Sequence, residues 1–306
     1  MLTIRNMTRP MLQFAIASVT PAALIASGAI WGGIWIAAAV IYLTAMTSLL
    51  DRMIKRESPA GEVALDDTLS VLLAVSHVML MPLVAWAITA DHLEPLGKAG
   101  LFFAAGLWFG QVSNANAHEL IHRSSRGLRR LGMWVYITML FGHHTSAHVL
   151  VHHRHVATHA DPNTSRKGES LYRYIWRAWT GSFREGYRAE AARLQKIDRP
   201  AWRNPYFVYV GGAMACVGVA FSIGGGAMVL SYLGLCAYAQ SQLLMSDYVQ
   251  HYGLTRARDA NGKYVPVAAR HSWNSPLWFS SAMLLNATRQ SDHHAHPARH
   301  YPALTI

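Results

Sequence analysis

The stretch MLQFAIASVTPAALIASG, residues 11–28, carries no charged side chain. A helix needs roughly 20 mainly apolar residues to cross about 30 Å of hydrocarbon, so this stretch is close to the length of one membrane crossing. Similar apolar blocks occupy residues 30–50, 68–90, 99–113, 206–223 and 226–246. Because a helix satisfies its own backbone polar groups inside lipid, these blocks predict an all-α integral membrane protein with six transmembrane helices.

The composition agrees with this interpretation. The chain has 306 residues, of which 52% are hydrophobic and 14% charged, whereas an average soluble domain carries about 25% charged residues. A large soluble core would need more polar helix faces around it. Cys216 and Cys236 lie inside apolar blocks and offer no disulfide framework. We expect one membrane-bound domain, residues 1–306.

The net charge of +11 indicates an orientation in the membrane. The short turns near 28–33, 91–97 and 223–226 contain no Lys or Arg, and by the positive-inside rule the basic segments face the cytoplasm. Topology and anionic lipid account for these charges, so we expect no nucleic-acid partner. The prediction is a bacterial inner-membrane protein with both termini inside and with cytoplasmic segments 114–204 and 247–306. Lys and Arg concentrate at 1–9, 52–56, 123–130, 154–203 and 256–299.

Two parts of the segment 114–204 differ from the rest of it in their pattern of apolar residues. Residues 131–142 are apolar but cover only half a span, which favours a re-entrant or interfacial segment. Residues 184–199 read as an amphipathic helix on the membrane surface. Residues 247–306 are expected to form a compact cap.

The chain contains seventeen histidines, and all except His77 and His92 lie between residues 118 and 300. Residues i and i+4 share a helix face, so His118 and His122 can bind one metal, and so can His148 and His152. The adjacent pair His152 and His153 points in two directions, which favours a dinuclear centre. Further groups are His251 and the pair His293 and His294.

The kind of metal follows from the ligand type. HELIH (118–122) also satisfies the zinc-protease pattern with Glu119 as general base, but such a site needs only three ligands, and this chain supplies at least eight. Imidazoles without thiolates suit zinc, copper, nickel or iron. Two metal ions with open coordination positions favour reactions with O₂, for which iron is the usual metal. Soluble di-iron bundles use Glu and Glu-x-x-His ligands, which histidine would replace here.

Five strings in this order resemble the integral-membrane alkane monooxygenases: HELIH (118–122), HVLVHHRHVATHADPNTSRKGES (148–170), DYVQHYGL (247–254), RHSWNS (270–275) and SDHHAHP (291–297). Xylene-type methyl hydroxylases are similar, and membrane fatty-acid desaturases share a looser version. The resemblance covers nearly the whole chain. It implies two irons beneath a hydrophobic tunnel, O₂ as co-substrate, and electrons from a rubredoxin or ferredoxin with its NAD(P)H reductase.

The resemblance also implies site residues. One departs from the family, since Gln290 stands in RQSDHH where a histidine ligand is usual. Gln250 similarly replaces a usual Glu. Acids and one histidine expected to support the ligands from behind are Asp161, Glu169, Asp247, His271 and Asp292. The implied iron ligands are His118, His122, His148, His152, His153, His251, His293 and His294.

Other histidines have no ligand counterpart, and several functions stay open. His77 is expected to be a packed, hydrogen-bonded residue within its span or to line a pocket. Alternatives of the same chemistry are hydroxylation of methyl-substituted aromatics and desaturation of an acyl chain. A histidine-rich metal transporter is the alternative from another class. The histidines expected at the surface or behind the ligands are His143, His144, His155, His159, His296 and His300.

Overall fold

The computed structural model describes residues 9–58 and 67–305, with side chains from Met11 onward. Within these ranges the fold is all-α, as predicted, and β pairing is limited to isolated bridges between Glu57 and Leu277 and between Arg258 and Tyr264. The basic residues of the segment 1–8 and part of the loop after residue 58 lie outside the described ranges.

The helices are bounded as follows. α1 is Arg9–Trp31, α2 is Gly33–Met53 and α3 is Thr68–Thr89. α4 begins as Pro95–Leu107, continues as a π turn, Trp108–Ser113, and ends as Asn114–Ile121. α5 is Arg126–Thr138, and α6 joins His144–Ala147, the π turn His148–His152 and His153–His155. α7 is Leu171–Lys196, α8 is Tyr206–His251, α9 is Trp278–Met283 and α10 is Gln290–Ala295.

Helices α1 and α2 form a hairpin at the predicted turn. Gly32 has φ 67°, a left-handed conformation that glycine adopts without steric cost. The Tyr42 hydroxyl then donates to the carbonyl of Ile16, 3.0 Å away. Tyr42 and Ile16 are 26 positions apart in the sequence, and they are in contact because the two helices pack side by side in opposite directions.

Helix α8 also contains a chain reversal. Gly224 (φ −143°, ψ 21°) and Gly225 (φ 61°, ψ −155°) interrupt its helical geometry. The Tyr232 hydroxyl donates to the carbonyl of Thr138 at 2.6 Å, and the backbone of Gly212 packs against the neighbouring Ile137. Twenty residues of straight helix would separate these contacts by about 30 Å. The two halves of α8 therefore lie side by side, as expected for the segments 206–223 and 226–246.

Four of the described helices are long and apolar enough to cross a membrane: Met11–Trp31, Gly33–Met53, Thr68–Thr89 and Tyr206–His251. The predicted span 99–113 falls within α4, where the π turn divides the helix into shorter pieces. Several membrane-length helices are thus present. The count of six crossings stays a prediction.

The C-terminal segment packs against the ends of α1 and α2. The Asp51 carboxylate accepts the backbone N–H groups of Phe279 (2.7 Å) and Ser280 (3.2 Å), which satisfies two of the otherwise unpaired donors that begin α9. Phe14 meets Tyr301 edge to face, with ring centroids 5.0 Å apart. These contacts fix α9 and the segment around Tyr301 against the helical bundle.

The stretches 131–142 and 184–199 are parts of longer elements. The first lies mostly in α5, whose Gly132 packs closely on Ala117 and Leu120 of α4. The second is the end of α7, which starts at Leu171 with the Ser170 hydroxyl as its N-cap, accepting from Arg173 N–H at 3.4 Å. One face of α7 is buried, and Tyr172 and Trp176 on the other are exposed.

Candidate metal centre

Five imidazoles from three helices meet in one cluster, called here the five-histidine cluster. α4 provides His118 and His122, α6 provides His148 and His153, and α10 provides His293. One ligand atom of each lies within 4.8 Å of those of the others. The Nε2 atoms are 2.7 Å apart between His118 and His148, and 3.2 Å apart between His153 and His293. Several nitrogen lone pairs directed at one small space are the donor set of a metal ion.

A second, adjacent cluster contains His152 from α6, His251 from the end of α8 and His294 from α10, and is called the three-histidine cluster. All three side chains are buried. Nε2 of His152 and at least one ring nitrogen of His251 have no hydrogen-bond partner among the described residues. A buried polar atom left unpaired costs about 1–3 kcal/mol. A bound metal would satisfy these nitrogens, so the residues present fit a metal in both clusters.

The π turn in α6 decides which histidine joins which cluster. A π turn closes i→i+5 hydrogen bonds, so its residues i and i+5 share a face. His148 consequently meets His153, with Nε2 atoms 3.0 Å apart, while His152 turns toward the other cluster. An α-helical turn would allow His148 and His152 to share a metal, but the π turn places them in different clusters. The expectation that His152 and His153 serve two metals agrees with this geometry.

Asp161 holds His152 in place. Its Oδ2 lies 2.8 Å from His152 Nδ1 and accepts the Thr164 hydroxyl at 2.6 Å. The backbone N–H of Asn163 donates to Oδ1 at 3.0 Å. A carboxylate on Nδ1–H fixes the tautomer in which Nε2 carries the lone pair needed by a metal.

This pair also has the expected electrostatics. Burial alone would lower the pKa of His152, but the Asp161 carboxylate raises it above its ordinary value. Burial alone would raise the pKa of Asp161, but His152 holds it below its ordinary value. The carboxylate is therefore charged at neutral pH and makes the imidazole a stronger donor.

The remaining imidazoles of the clusters are neutral at physiological pH. Burial, followed by repulsion from His152, lowers the pKa of His122 to about 4. Burial likewise lowers the pKa values of His148, His153, His293 and His294, with neighbouring imidazoles adding to the effect. Neutral imidazole is the form that binds metals, so burial keeps these ligands available.

Gln290 lies at the edge of the three-histidine cluster. It begins α10, and its Nε2 is 3.0 Å from Nε2 of His294, one helical turn further on. The Arg289 guanidinium donates to the carbonyls of Ser58 and Leu304. Asn274 accepts from Ser291 N–H at 3.0 Å and donates to its hydroxyl at 2.6 Å. The residues on both sides of Gln290 are thus anchored.

Of the acids expected to orient ligand imidazoles, Asp161 is the one that the structure places on a cluster histidine. Glu169 instead binds Arg177, with 2.6 Å between Oε2 and Nη2. Asp247 accepts from the Asn163 amide at 2.7 Å. Asp292 accepts from Arg299 at 2.6 Å. His271 is buried, and its Nδ1 accepts from the backbone N–H of Ala268 at 2.9 Å.

The other histidines divide by burial. His143 and His144 are buried at 3% exposure, so a surface position is wrong for both. The His144 ring lies 5.1 Å from that of His148, directly behind a cluster member. His77 is packed and hydrogen-bonded, as expected, to Ser113 and Thr138. The other four histidines of this group are exposed or half-exposed: His155, His159, His296 and His300.

Several residues that hold the site were missed by sequence reasoning. Asn163 and Thr164 fix Asp161, and Asn274 fixes the start of α10. All three lie in the strings ADPNTS and HSWNS, which are the most family-specific parts of the sequence. Their specificity was the available signal, but it did not show which contacts they make.

Cavities lie beside the clusters and between the helices. A small one of about 50 Å³ is lined by His118, His148, Asp247 and Gln290 among others. An apolar one of about 230 Å³ lies between α3, α5 and the two halves of α8, with Met81, Trp134 and Tyr232 in its wall.

Membrane-length helices and two adjacent histidine clusters that could each hold a metal ion define a membrane-associated protein of the histidine-rich type. Residues 95–305 match the fatty acid desaturase family, and these residues include every member of both clusters. The chain belongs to this family.

Individual relatives indicate a more specific relationship than the family does. The chain is 31% identical to alkane 1-monooxygenase 1 of Pseudomonas aeruginosa, over 88% of this chain and 74% of the relative. It is 29% identical to alkane 1-monooxygenase 2 of the same organism, with the same coverage. The hydroxylase component of the xylene/toluene monooxygenase of Pseudomonas putida is 26% identical over 92% of this chain and 76% of the relative. The predicted resemblance to alkane monooxygenases is confirmed.

Proposed function

We propose that the protein is a membrane-bound, non-haem di-iron monooxygenase that inserts one atom of O₂ into a terminal methyl C–H bond of an alkane or a similar hydrophobic molecule. The observation that carries this proposal is the pair of adjacent imidazole clusters, built from helices α4, α6, α8 and α10. Homology to alkane 1-monooxygenases supports the reaction class.

The two irons would supply the oxidising chemistry, with the five-histidine cluster holding one and the three-histidine cluster, with Gln290 beside it, the other. The balanced reaction takes one O₂, two electrons and two protons, and gives one alcohol and one water. The chain's tasks are binding, orientation and exclusion of water. Asp161 orients His152, and the cavity of about 50 Å³ beside His118 and His148 leaves room for a small reactant.

A hydrocarbon offers no polar handle, so its recognition depends on apolar surface. The cavity of about 230 Å³ between α3, α5 and α8 has an almost entirely apolar wall and the size for a short hydrocarbon chain. Hydrophobic substrate dissolved in the bilayer would reach such a cavity laterally.

The membrane topology belongs to the same proposal. With α4 as a crossing and α8 as two, the chain makes six crossings of a bacterial inner membrane within a single domain, residues 1–306. Both termini and the histidine-rich segments 114–204 and 247–306 face the cytoplasm. There a soluble rubredoxin or ferredoxin, reduced by its NAD(P)H reductase, would deliver electrons.

The experiment is product analysis in cells that co-express the chain with a rubredoxin and its reductase. Cells are given n-alkanes of several lengths, toluene and xylenes under ¹⁸O₂, and products are identified by mass spectrometry. We expect terminal alcohols that carry one ¹⁸O. His155→Ala, an exposed histidine outside both clusters, is the matched control and should retain activity.

Other products would select the alternatives. Benzylic alcohols without alkanols would assign the chain to the methyl-aromatic hydroxylases, which the relationship to the xylene/toluene enzyme favours as second candidate. Unsaturated acyl chains would identify a desaturase. Metal flux across vesicles without O₂ consumption would identify a transporter and contradict the proposal.

A further inference from the structure

The two clusters have unequal donor sets. The five-histidine cluster offers five imidazoles, and the three-histidine cluster offers three, with the Gln290 amide beside them. Imidazole nitrogen suits iron, whereas an amide carbonyl is a hard oxygen donor better matched to magnesium, calcium or manganese. The difference in ligand type alone makes the second cluster the poorer site for iron.

The position of the Gln290 side chain adds a second effect. Gln290 and His294 are four residues apart on α10, so they share a face. The amide N–H of Gln290 donates to Nε2 of His294 over 3.0 Å. A neutral imidazole has one basic lone pair, and this hydrogen bond occupies it on Nε2, while Nδ1 has no hydrogen-bond partner among the described residues. Metal binding through His294 must therefore break this hydrogen bond.

The surrounding contacts keep the amide in this position. Arg289, which is 1% exposed, is held by the carbonyls of Ser58 and Leu304, and Ser291 is held twice by Asn274. The side chain can rotate about its own bonds, but its backbone cannot move it away from His294. The Gln290 side chain therefore stays next to His294 and can compete with a metal for it.

One interaction acts in the opposite direction. Asp161 strengthens His152 as a donor, and outer carboxylates of this kind change metal affinity by about 10–100-fold. Asp161, however, strengthens only one of the three imidazoles. The three-histidine cluster still has two imidazoles fewer than the five-histidine cluster, and one stronger donor does not make up for them. The balance leaves the three-histidine cluster weaker.

We propose that Gln290 makes the three-histidine cluster the low-affinity metal site of the pair, so that the protein holds one iron firmly and the other reversibly. This inference rests on the proposed di-iron function. It predicts that the fraction of protein carrying two irons depends on the iron supply, because the three-histidine cluster is the one that loses its iron when iron is scarce.

The test measures metal retention directly. Wild type, Gln290→His and Gln195→His are placed in lipid nanodiscs, loaded with Fe(II) without oxygen, and equilibrated with increasing ferrozine. Iron per chain is measured by mass spectrometry of the eluted particles. Gln195 is exposed on α7, so its variant adds a histidine away from both clusters and serves as the matched control.

We expect wild type and Gln195→His to lose iron in two steps, with a plateau near one iron per chain and midpoints separated by about tenfold or more. Gln290→His should shift the first step toward the second by a similar factor. A single step in wild type, or an unchanged first step in Gln290→His, would overturn the inference while leaving the di-iron proposal intact.

A further variant guards against misfolding of Gln290→His. His294→Ala should remove the weak step and leave the strong step unchanged, and survival of the weak step would overturn the assignment. Failure of wild type to bind any iron would instead contradict the proposed function itself.

Discussion

His77 and His251 are both fully buried, yet their surroundings differ in kind. His77, inside α3, has Nδ1 2.7 Å from the Ser113 hydroxyl and Nε2 2.9 Å from that of Thr138. His251, at the end of α8, interacts with the backbone of His271, and at least one of its ring nitrogens has no hydrogen-bond partner among the described residues. A histidine that serves the fold has its hydrogen bonds completed by the protein. A histidine that serves a ligand keeps its lone pair free.

The same contrast extends to the regions around them. In the helical bundle, many buried polar side chains have a hydrogen-bond partner within the protein, as Ser18 has in the carbonyl of Phe14 at 2.7 Å. In the clusters, unpaired nitrogens accumulate within a few ångströms, each at a cost of about 1–3 kcal/mol. Such a concentration is stable only when a bound ligand offsets it, so occupancy and stability should be coupled in the cap.

The largest effect is expected from His152→Ala. The change removes a donor from the three-histidine cluster and leaves Asp161 buried without its partner. We expect loss of one iron per chain and loss of hydroxylation below detection, measured by metal analysis and product formation. His155→Ala should leave both unchanged. Activity of His152→Ala at a comparable rate would refute the di-iron assignment.

Asp161→Asn tests the support behind the ligand. The amide preserves the shape but removes the charge that strengthens His152, so metal affinity should fall by about 10–100-fold. Chelator titration of iron gives the value. Asp91→Asn, an exposed acid beyond the end of α3, is the control. An equal affinity in the Asp161 variant would show that this carboxylate does not act on the metal.

His77→Ala tests the other member of the comparison. The Ser113 hydroxyl would lose its partner, whereas Thr138 still donates to backbone carbonyls of α5. The free energy of unfolding should therefore fall by about 1–3 kcal/mol. The thermal midpoint in nanodiscs should fall, while iron per chain stays at the wild-type value. Loss of iron in a folded His77→Ala protein would mean that His77 contributes to the metal centre.

The smallest effect is expected from Asp292→Asn. Although Asp292 adjoins His293 in sequence, its carboxylate accepts from Arg299, His296 and the backbone of Thr305. Iron affinity should therefore change by less than about twofold, well below the change for Asp161→Asn. Stability should fall by about 1 kcal/mol, because the C-terminal segment loses an ion pair. A tenfold loss of iron affinity in Asp292→Asn would contradict this and would show that Asp292, like Asp161, supports a metal ligand.

The helices and the histidine groups were predictable because their signals are local. Uncharged blocks of membrane length require no knowledge of tertiary contacts, and His118 with His122 follows from helical periodicity alone. The α6 pairing was not predictable in this way, because a π turn adds one residue to a helix without any mark in the sequence. Counting four residues from His148 therefore reaches the wrong partner.

The supporting acids show the other limit. Asp161, Glu169 and Asp292 all lie near histidines in sequence, and nothing local distinguishes them. Their partners depend on the conformation of the loop between α6 and α7: Glu169 meets Arg177, eight residues further on, and Asp161 meets His152, nine residues before it. Only the folded chain reveals which acid reaches a ligand.

The reversal at Gly224 and Gly225 has a consequence for how the protein is made. Between residues 204 and 246 the chain contains no Asp, Glu, Lys or Arg. Carrying a charged side chain across the bilayer centre costs several kcal/mol, and this segment avoids that cost entirely. We expect the two halves of α8 to enter the membrane together as a preformed pair during synthesis. His251 would then be drawn to the bilayer surface, where the cap assembles around it.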